Sequence, residues 1–392
     1  MNELLRSISL IVFWSTFFLC ASTYFLYPAI IYFLSRLKPF LSIKDDRHPF
    51  VSVIISAYNE EKHLEEKIKN TLSLEYPRDR FEILVASDGS KDRTVEIAET
   101  FSGQGVGILD FKENRGKTIV QNESVKMSKG EILLFTDAAS LINKEAMKNI
   151  VRHFADDRVG CVAGRLKYID THTNLTTESQ GLYWRYESSI RETESRLGRL
   201  IGVDGPLYAL RRDAYTPLQG NIISDLISPL LVLASGKRVI LEPDAVANED
   251  PNLQAHQELT TRRRITLRAL VGLREYKYLL NPFLHPGLAV QLFFHKVLRW
   301  FVGPLVLLNA FACASMWNEP FYRFLLFGYI AFFLAAGTGS ILDYFGKKGA
   351  IFVAPYYFTL VNVAATLGII DFILRKQAVT WVPVRNKPLE KQ

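Results

Sequence analysis

Four long stretches of the chain carry no charged side chain and no histidine, which sets them apart from the rest of the sequence. They are Ser7 to Ser35, Trp300 to Asn318, Phe324 to Leu342 and Gly349 to Ile370. Each is long enough for a helix to cross a hydrocarbon core of about 30 Å. Buried helices of soluble proteins are seldom apolar over such lengths, so we predict membrane helices on both sides of a polar domain.

Between the first and second stretches, short β-branched runs alternate with helical patterns. The strand-like runs are Val51–Ala57, Phe81–Ser87, Val106–Phe111 and Glu131–Thr136, and the helix-like runs between them are Glu60–Leu74, Asp92–Phe101 and Lys117–Met127. This alternation predicts an α/β fold with a doubly wound, mostly parallel sheet. We divide the chain into a membrane helix (7–35), an α/β domain (49–256), interfacial amphipathic helices (257–299), three membrane segments (300–374) and a basic tail (375–392).

The distribution of charge predicts an orientation for the polar domain. Basic residues follow the first apolar stretch at Arg36, Lys38, Lys44 and Arg47, whereas only Arg6 precedes it. The positive-inside rule then predicts a cytoplasmic domain on the inner (plasma) membrane. The formal net charge of +7 suits contact with anionic lipids and an anionic substrate. The sequence shows no nucleic-acid-binding motif, so nucleic acid is not an expected partner.

The C-terminal tail conflicts with a simple count of four crossings. Four crossings would place it opposite the polar domain, yet it is basic, with Arg375, Lys376, Arg385, Lys387 and Lys391 against Glu390. The positive-inside rule would instead keep it beside the domain. We leave the side of the tail open, because one of the later apolar segments can be interfacial or re-entrant.

Polar residues follow each predicted strand at its carboxyl end, which is where ligands bind in sheets of this kind. They are Tyr58-Asn59-Glu60, Asp88-Gly89-Ser90, Asn114-Arg115-Gly116-Lys117 and Asp137-Ala138-Ala139-Ser140. Three carboxylates and a lysine at one edge are costly without charged partners. A nucleoside diphosphate with a divalent cation supplies both signs of charge. The sequence contains neither the GxGxxG fingerprint nor a phosphate loop, which disfavours dehydrogenases and P-loop NTPases.

Each of these residues also has a simpler explanation. Asn59 and Ser90 are suitable helix caps, and Asp-Gly is a common turn. Asp137 is a candidate cap for a helix that begins near Asn143. Their occurrence at successive strand ends favours a binding site over a series of unrelated caps.

Seven segments together resemble one family. They are SVIISAYNEE, VASDGSKDRT, NRGKTIVQNES, EILLFTDAAS, GPLYALRRDAY, SDLISPLLVLASGKRVILEP and TTRRRITLRAL. The chain resembles the membrane-embedded family-2 glycosyltransferases, which have an A-type nucleotide-sugar fold and are related to bacterial polysaccharide synthases. The resemblance implies a nucleoside-diphosphate sugar as donor, with UDP as the expected nucleotide.

The resemblance also implies roles for individual residues. The expected donor-binding residues are Tyr58, Glu60, Asp88, Gly116, Lys117 and Asp137. Asp137 corresponds to the first carboxylate of the family's metal-binding Asp-x-Asp, so it is the expected ligand of Mg²⁺ or Mn²⁺. Asp225 stands in the place of the catalytic base. Arg264 keeps the arginine of the Gln-x-x-Arg-Trp motif and is the second expected catalytic residue.

Two departures from the family pattern bear on function. Ala139 replaces the second carboxylate of the metal motif, although Mg²⁺ is often held by one or two carboxylates together with substrate phosphates. Thr261 and Ile265 replace the glutamine and tryptophan that help processive relatives bind the acceptor chain. Processive synthesis is therefore left open.

The chemistry of sugar transfer supports the same residues independently. A base must take the proton of the acceptor hydroxyl, and Asp225, just before an apolar helix-like run, suits that role or that of an N-cap. Positive charge must stabilise the leaving diphosphate. The arginines at 262, 263, 264 and 268 provide that charge, or form a basic strip on an interfacial helix.

These observations predict an inverting glycosyltransferase that acts on a glycan or lipid-linked acceptor at the membrane, in the synthesis of cell-surface polysaccharide. Two alternatives stay open. One is transfer of a single sugar to a lipid carrier. The other is a degenerate, non-catalytic subunit that binds nucleotide sugar for partners in a synthase complex, which the residues Ala139, Thr261 and Ile265 favour.

Overall fold

A single mixed sheet forms the centre of the polar domain. The computed structural model describes residues 3–168, 175–250, 255–347 and 349–380. The strands are β1 (Val51–Ala57), β2 (Phe81–Asp88), β3 (Val106–Phe111), β4 (Ile132–Asp137), β5 (Leu141–Ile142), β6 (Val159–Tyr168), β7 (Leu207–Arg211) and β8 (Arg238–Glu249). Their order is β3-β2-β1-β4-β7-β6-β8-β5. β1 to β4 are parallel to one another, as are β6 and β8, whereas β7 and β5 run antiparallel to their neighbours.

Helices surround this sheet and extend away from it on one side. They are α1 (Glu3–Ala21), α2 (Tyr27–Leu37), α3 (Leu64–Leu72), α4 (Thr94–Glu99), α5 (Lys117–Met127), α6 (Ala146–Val151), α7 (Leu175–Arg196), α8 (Ser224–Ala234), α9 (Ala255–Glu275), α10 (Pro286–Leu292), α11 (Leu298–Ser315), α12 (Pro320–Tyr344) and α13 (Ala350–Ile373). Five-residue π-helical turns join α1 to α2 and α10 to α11.

The central strands are apolar on both faces because helices cover both. Every residue of β1 is buried. Val53 and Ile55 belong to the hydrophobic core on one face, together with Leu64 of α3. Ile54 points into the core on the other face, with Val125 of α5. Near-continuous hydrophobic runs are what parallel strands between two helix layers require. The predicted α/β, doubly wound, mostly parallel sheet is confirmed.

Strand positions follow the predictions more closely than helix starts do. β1, β3 and α5 have the predicted limits, but α3 begins at Leu64, not at Glu60. Asn59 adopts a left-handed backbone conformation with φ of 53°, and the carbonyl of Glu60 closes a turn with His63 and Leu64. The chain therefore completes a turn at the sheet edge before the helix can start.

Within the part of the chain that the structure describes, four helices are long and apolar enough to cross a membrane: Glu3–Leu37, Pro286–Ser315, Pro320–Tyr344 and Ala350–Ile373. The second of these begins at Pro286, within the range that we predicted as interfacial. Polar contacts join the first two. Ser315 Oγ lies 2.7 Å from Ser9 Oγ, and Asn309 Nδ2 donates to the carbonyl of Phe13 at 2.8 Å. Such hydrogen bonds hold apolar helices together where hydrophobic burial gives no preference for a partner.

The last apolar helix, α13, packs lengthwise against α9 of the polar domain. Near its start, Tyr357 Oη donates to Glu258 Oε1 at 2.6 Å. Near its end, Arg263 Nη2 donates to Asp371 Oδ1 at 2.8 Å. The following chain then returns to the α/β domain, where the carbonyl of Val379 faces Gly116. Both ends of α13 thus contact α9, and Val379 of the tail contacts the α/β domain.

This arrangement predicts three crossings before the tail and an interfacial α13. In a chain with its own cysteines replaced, Gln377→Cys should react with an impermeant maleimide in the same vesicle orientation as Lys112→Cys of the domain. Asn318→Cys, between α11 and α12, should react only in the opposite orientation. All three positions are exposed. Labelling of Gln377→Cys together with Asn318→Cys would instead establish four crossings.

Candidate active site at the carboxyl edge of the sheet

An ion pair between Lys117 and Asp137 lies at the centre of the candidate site. Asp137 is the last residue of β4, and Lys117 is the first of α5, directly after Gly116 with φ of 91°. Lys117 Nζ is 2.5 Å from Asp137 Oδ1. Asp137 Oδ1 is buried and receives no well-aligned hydrogen bond from the residues that the structure describes. The ammonium therefore balances the charge of this oxygen without saturating it.

Asp225 lies beside this pair, inside the first turn of α8. A methyl group built on Gly205 would lie 3.1 Å from Lys117 Nζ, 3.4 Å from Asp225 Oδ2 and 3.7 Å from Asp137 Oδ2. Three charged groups thus surround a position that only a glycine leaves open. The N-cap of α8 is Ile223 and no side chain caps the helix. The capping explanation for Asp225 is therefore wrong.

Burial raises the pKa of Asp225 above that of an ordinary aspartate. The positive charges of Lys117 and Arg268 act in the opposite direction, while Asp137 and Asp204 add to the increase. A carboxylate in a low-dielectric site with a raised pKa is a stronger base than a solvated one. Its position next to Lys117 suits proton transfer close to a bound anion.

Arg264 and Arg268 bring positive charge to the same side of the site. Burial lowers the pKa of both guanidinium groups, that of Arg268 to about 10. Arg268 Nη2 donates to Thr118 Oγ1 at 2.9 Å and to the carbonyl of Ile222 at 2.7 Å, which connects α9 to the start of α5. No carboxylate among the described residues accepts a hydrogen bond from Arg268. Its charge is therefore balanced only in part.

The other two arginines of the predicted strip bind α13 and Glu258. Arg262 Nε donates to Glu258 Oε1 at 2.8 Å, and Arg263 pairs with Asp371. The segment is therefore not a wholly solvated strip, although Arg263 keeps 37% of its side chain exposed and the interfacial reading can hold beside this one. Its four arginines divide between packing α13 and lining the site.

The predicted donor residues Asp88 and Gly116 are joined by the backbone. Asp88 is buried at the end of β2, and its two oxygens accept N–H groups of Arg115 at 2.6 Å and Gly116 at 2.9 Å. Burial raises the pKa of Asp88, and these two hydrogen bonds oppose the increase. Asp88 thus holds the loop that carries Lys117 toward Asp137.

The remaining predicted donor residues lie next to that loop. Glu60 is fully buried, and its Oε2 is 2.8 Å from His63 Nδ1. Tyr58 is half-buried directly after β1. Asn59 does not cap a helix, since its Oδ1 accepts the backbone N–H of Lys91. Ser90 Oγ in turn accepts the N–H of Asn59, so the two residues join the loop after β1 to the loop after β2.

A cavity of about 790 Å³ connects this edge of the sheet with the apolar helices. Lys117, Asp137, Asp225 and Arg264 line it in the domain. Trp300, Asn362 and Ala365 line it among the apolar helices, and the aromatic residues Tyr24, Tyr168, Tyr183 and Trp184 line it as well. Tyr58, Glu60, Asp88 and Gly116 are not among its lining residues. The four charged side chains therefore meet in one space, while the other predicted donor-binding residues lie beside it.

The C-terminal tail covers Gly116. A methyl group built on this glycine would lie 2.2 Å from the carbonyl oxygen of Val379. The backbone of the tail thus closes over the loop between β3 and α5. A residue with any side chain at position 116 would collide with it.

The residues present fit a divalent cation, with Asp137 as its ligand. Asp137 Oδ1 receives no well-aligned hydrogen bond, and the ammonium of Lys117 that lies beside it can turn to a diphosphate instead. No cluster of three His, Cys, Asp or Glu side chains with metal-site geometry occurs among the described residues. Mg²⁺ and Mn²⁺ can bind at a site with so few protein ligands. Oxygen ligands suit both ions, and phosphate oxygens and water complete the coordination shell of Mg²⁺.

Sequence reasoning missed Gly205 and Lys67. Gly205 lies in a segment that carries the family resemblance, but nothing in its spacing shows that three charges face it. Lys67 is fully buried in α3, and its Nζ donates to Thr136 Oγ1 at 2.7 Å and to the carbonyl of Ser140 at 2.6 Å. Its position on the same helix face as Leu64 and Thr71 was the available signal, because a lysine on an apolar face must find partners.

Comparisons with known proteins agree with this geometry. Residues 52–216 match glycosyl transferase family 2. The chain is 27% identical over 200 residues to a poly-beta-1,6-N-acetyl-D-glucosamine synthase of Staphylococcus epidermidis, covering 49% of this chain and 48% of the relative. The synthase of the same name from Staphylococcus aureus (strain COL) is 24% identical over 242 residues, covering 60% of this chain and 58% of the relative. The chain thus spans about half the length of the curated relatives it matches.

One solved structure shares the fold along almost the whole chain. It is a mannosyltransferase from Pyrobaculum calidifontis in complex with GDP-Man and Mn²⁺, with a TM-score of 0.71 and 20% identity, covering 95% of this chain and 100% of that chain. The sheet order, the charged groups at its carboxyl edge and the sequence match point to one conclusion. Residues 52–216 are similar to glycosyl transferase family 2 and lie in a fold shared with that mannosyltransferase, flanked by helices suited to a membrane.

Proposed function

We propose that the protein is an inverting glycosyltransferase that moves a sugar from a nucleoside-diphosphate donor to a membrane-associated glycan or lipid-linked acceptor in polysaccharide synthesis. The observation that carries this proposal is the convergence of Lys117, Asp137 and Asp225 on one position, beside Gly205. A base, a carboxylate suited to a divalent cation and an ammonium group so placed suit displacement of a diphosphate by a hydroxyl group. The cavity that joins them to the apolar helices suits an acceptor that arrives from the membrane.

The donor's diphosphate belongs on the cationic side of this site. Lys117 exchanges Asp137 for a phosphate oxygen, and Arg264 adds a second positive charge. A divalent cation held by Asp137 supplies Lewis-acid stabilisation of the leaving diphosphate. Tyr58, Glu60 and Asp88 serve the nucleoside, chiefly by shaping the loops after β1 and β2 around it.

Transfer then requires one bond to form as another breaks. The acceptor oxygen attacks the anomeric carbon on the face opposite the diphosphate, and the bond from that carbon to the phosphate oxygen breaks. Asp225 takes the proton of the attacking hydroxyl group. Lys117 and Arg264 stabilise the negative charge that develops on the diphosphate. Attack from the opposite face inverts the configuration of the anomeric carbon.

The acceptor side of the cavity is rich in aromatic rings. Tyr168, Tyr183, Trp184 and Trp300 line it, and such rings can stack on the apolar faces of sugars while their polar atoms bind hydroxyl groups. This lining favours a saccharide as the group next to Asp225. A lipid-linked sugar and the end of a growing glycan both meet that requirement.

The relatives support this assignment. The two Staphylococcus proteins are named as synthases of a β-1,6-linked N-acetylglucosamine polymer, so UDP-GlcNAc is the first donor to test. The Pyrobaculum structure holds GDP-Man and Mn²⁺, which makes GDP-mannose the second. The positive-inside pattern supports a cytoplasmic domain on the inner (plasma) membrane. The non-catalytic alternative is weakened because Asp225 faces the ion pair instead of capping α8.

Nucleotide release from a panel of donors tests the proposal. Purified protein in lipid should release nucleotide from one nucleotide sugar only when a divalent cation is present, and faster when saccharide or lipid-linked acceptors are added. The anomeric configuration of the product, read by NMR, should be inverted relative to the donor. Binding of nucleotide sugar without release from any member of the panel would support the non-catalytic alternative.

Asp225→Asn should separate base catalysis from structure. Asn keeps the shape of the side chain but cannot accept the proton, so turnover should fall roughly 100-fold or more. Nucleotide-sugar affinity should change little. Because the folded state raises the pKa of Asp225, its contribution to stability is present at low pH and is lost as pH rises, so the carboxylate destabilises the fold at neutral pH. The Asn variant should therefore melt at the same temperature or higher.

The pH profile gives a second readout of the same substitution. In the wild type, turnover should decline on the acidic side at a pH above the ordinary pKa of aspartate, because the base must be deprotonated. This decline should be absent from the residual activity of Asp225→Asn. Near wild-type turnover by the variant would eliminate Asp225 as the base.

Gly205→Ala should impair catalysis by occupying the space between the three charges. The added methyl group would lie 3.1 Å from Lys117 Nζ and 3.4 Å from Asp225 Oδ2. We expect a loss of turnover of about tenfold or more, which corresponds to about 1.4 kcal/mol. Gly103→Ala is the matched control, since nothing lies within 4 Å of its added methyl group. Equal activity of both variants would show that the substrate does not enter this space.

A further inference from the structure

The cation site has lost one of its expected carboxylates at Ala139, and the neighbouring strand offers another. β5 follows Asp137 after a short turn and pairs antiparallel with β8, with Leu141 opposite Asn248 and Ile142 opposite Ala247. Continuing this register places Glu249 beside Ser140. The end of β8 thus runs along the turn that follows Asp137.

Glu249 opens onto the same space as Asp137. Both residues line the 790 Å³ cavity, together with Lys117. Glu249 is the last residue of β8 and is half-buried, so the sheet fixes its backbone while its carboxylate can meet a ligand in the cavity. A position at a strand end is more precise than one in a loop.

Lys67 lies beneath the turn that joins β4 to β5. Its ammonium is fully buried, and it donates to Thr136 Oγ1 and to the carbonyl of Ser140. Burial lowers the pKa of Lys67 to about 7, and the negative charges of Asp137 and Glu249 act in the opposite direction. A buried cation thus lies under the turn that follows Asp137 and that the end of β8 adjoins through its register with β5.

We propose that Glu249 is a ligand of the divalent cation at Asp137 and replaces the carboxylate that Ala139 lacks. The inference rests on the proposed function, because the diphosphate of the donor is the expected third partner of the cation. Two carboxylates from β4 and β8 would hold the ion from both sides of the turn. This charge count suits Mg²⁺ or Mn²⁺, which bind hard oxygen ligands.

Binding of Mn²⁺ tests this inference without any measurement of transfer. The purified full chain is titrated with Mn²⁺ in the presence of UDP and then of GDP, and the free ion is measured by electron paramagnetic resonance. Glu249→Gln should weaken binding tenfold or more, since even residues that only orient ligands typically contribute 10- to 100-fold. Asp137→Asn should abolish it. Asp250→Asn is the matched control, with the same loss of charge one residue away, and should stay within twofold.

A compensating substitution makes the test specific. Ala139→Asp restores the missing carboxylate, so the double variant Ala139→Asp/Glu249→Gln should regain most of the Mn²⁺ affinity. The rise in melting temperature on addition of Mn²⁺ should follow the same order across the variants. If Glu249→Gln does not fold, Glu249→Asp serves instead and should weaken binding by a smaller factor.

The outcomes separate this inference from the proposed function. Unchanged Mn²⁺ affinity in Glu249→Gln, or a larger loss in Asp250→Asn, would overturn the role of Glu249 and leave glycosyl transfer untouched. If Glu249→Gln loses Mn²⁺ affinity and the wild type transfers no sugar, the cation site is established and the catalytic proposal is refuted.

Discussion

The contact between Lys117 and Asp137 is the interaction on which the rest of the site depends. Two parallel strands and the start of α5 bring these opposite charges together in a place that water reaches poorly. A carboxylate in such a place is costly without a nearby positive charge. Lys117 supplies that charge at 2.5 Å, yet it leaves Asp137 Oδ1 without a well-aligned hydrogen bond. The site is therefore charged and incompletely satisfied, as a site for an anionic ligand with a cation should be.

A second group of buried charges holds the membrane helices against the domain. Glu187 of α7 accepts hydrogen bonds from Lys296 Nζ at 2.8 Å and Arg299 Nη1 at 2.6 Å. His295 Nδ1 is 2.7 Å from Glu194 Oε1, and its other ring nitrogen faces Glu187. Breaking one partner of such a network is costly because the other charge stays buried. The network therefore fixes α7 against the helix from Pro286 to Ser315, and with it the walls of the cavity between catalytic groups and membrane.

The periodicity of the sequence was sufficient for the sheet but not for the path of the last apolar helix. Strands such as Val51–Ala57 are apolar at every position, and only burial between two helix layers explains that pattern. An uncharged run such as Gly349 to Ile370 shows that a helix is removed from water, but not whether lipid or protein removes it. The contacts of Tyr357 and Asp371 with α9 show that protein covers one face of this helix, and they arise between residues about 100 positions apart. No local pattern records such pairs.

Some residues of the candidate site could be predicted from local sequence patterns, whereas others depend on long-range contacts. Asp137 and Lys117 were predictable because each directly follows a recognisable strand or turn. Asp225 was identified as a possible base, but its capping alternative could be excluded only from the backbone around Ile223. Gly205 could not be predicted as a site residue, since it leaves open a space that distant residues surround.

The loss of a carboxylate at Ala139 shows why motif matching alone understates this site. A sequence motif identifies only ligands that are close together along one strand end. A cation binds any oxygen atoms that are close together in space. Lys67, buried beneath the turn and influenced by both Asp137 and Glu249, shows that negative charge at this point comes from two strands. The sheet can therefore compensate for a missing ligand from a strand that lies far away in sequence. If Glu249 binds the cation as we propose, the departure from the family motif at Ala139 is compatible with a cation site, because a strand distant in sequence supplies the second carboxylate.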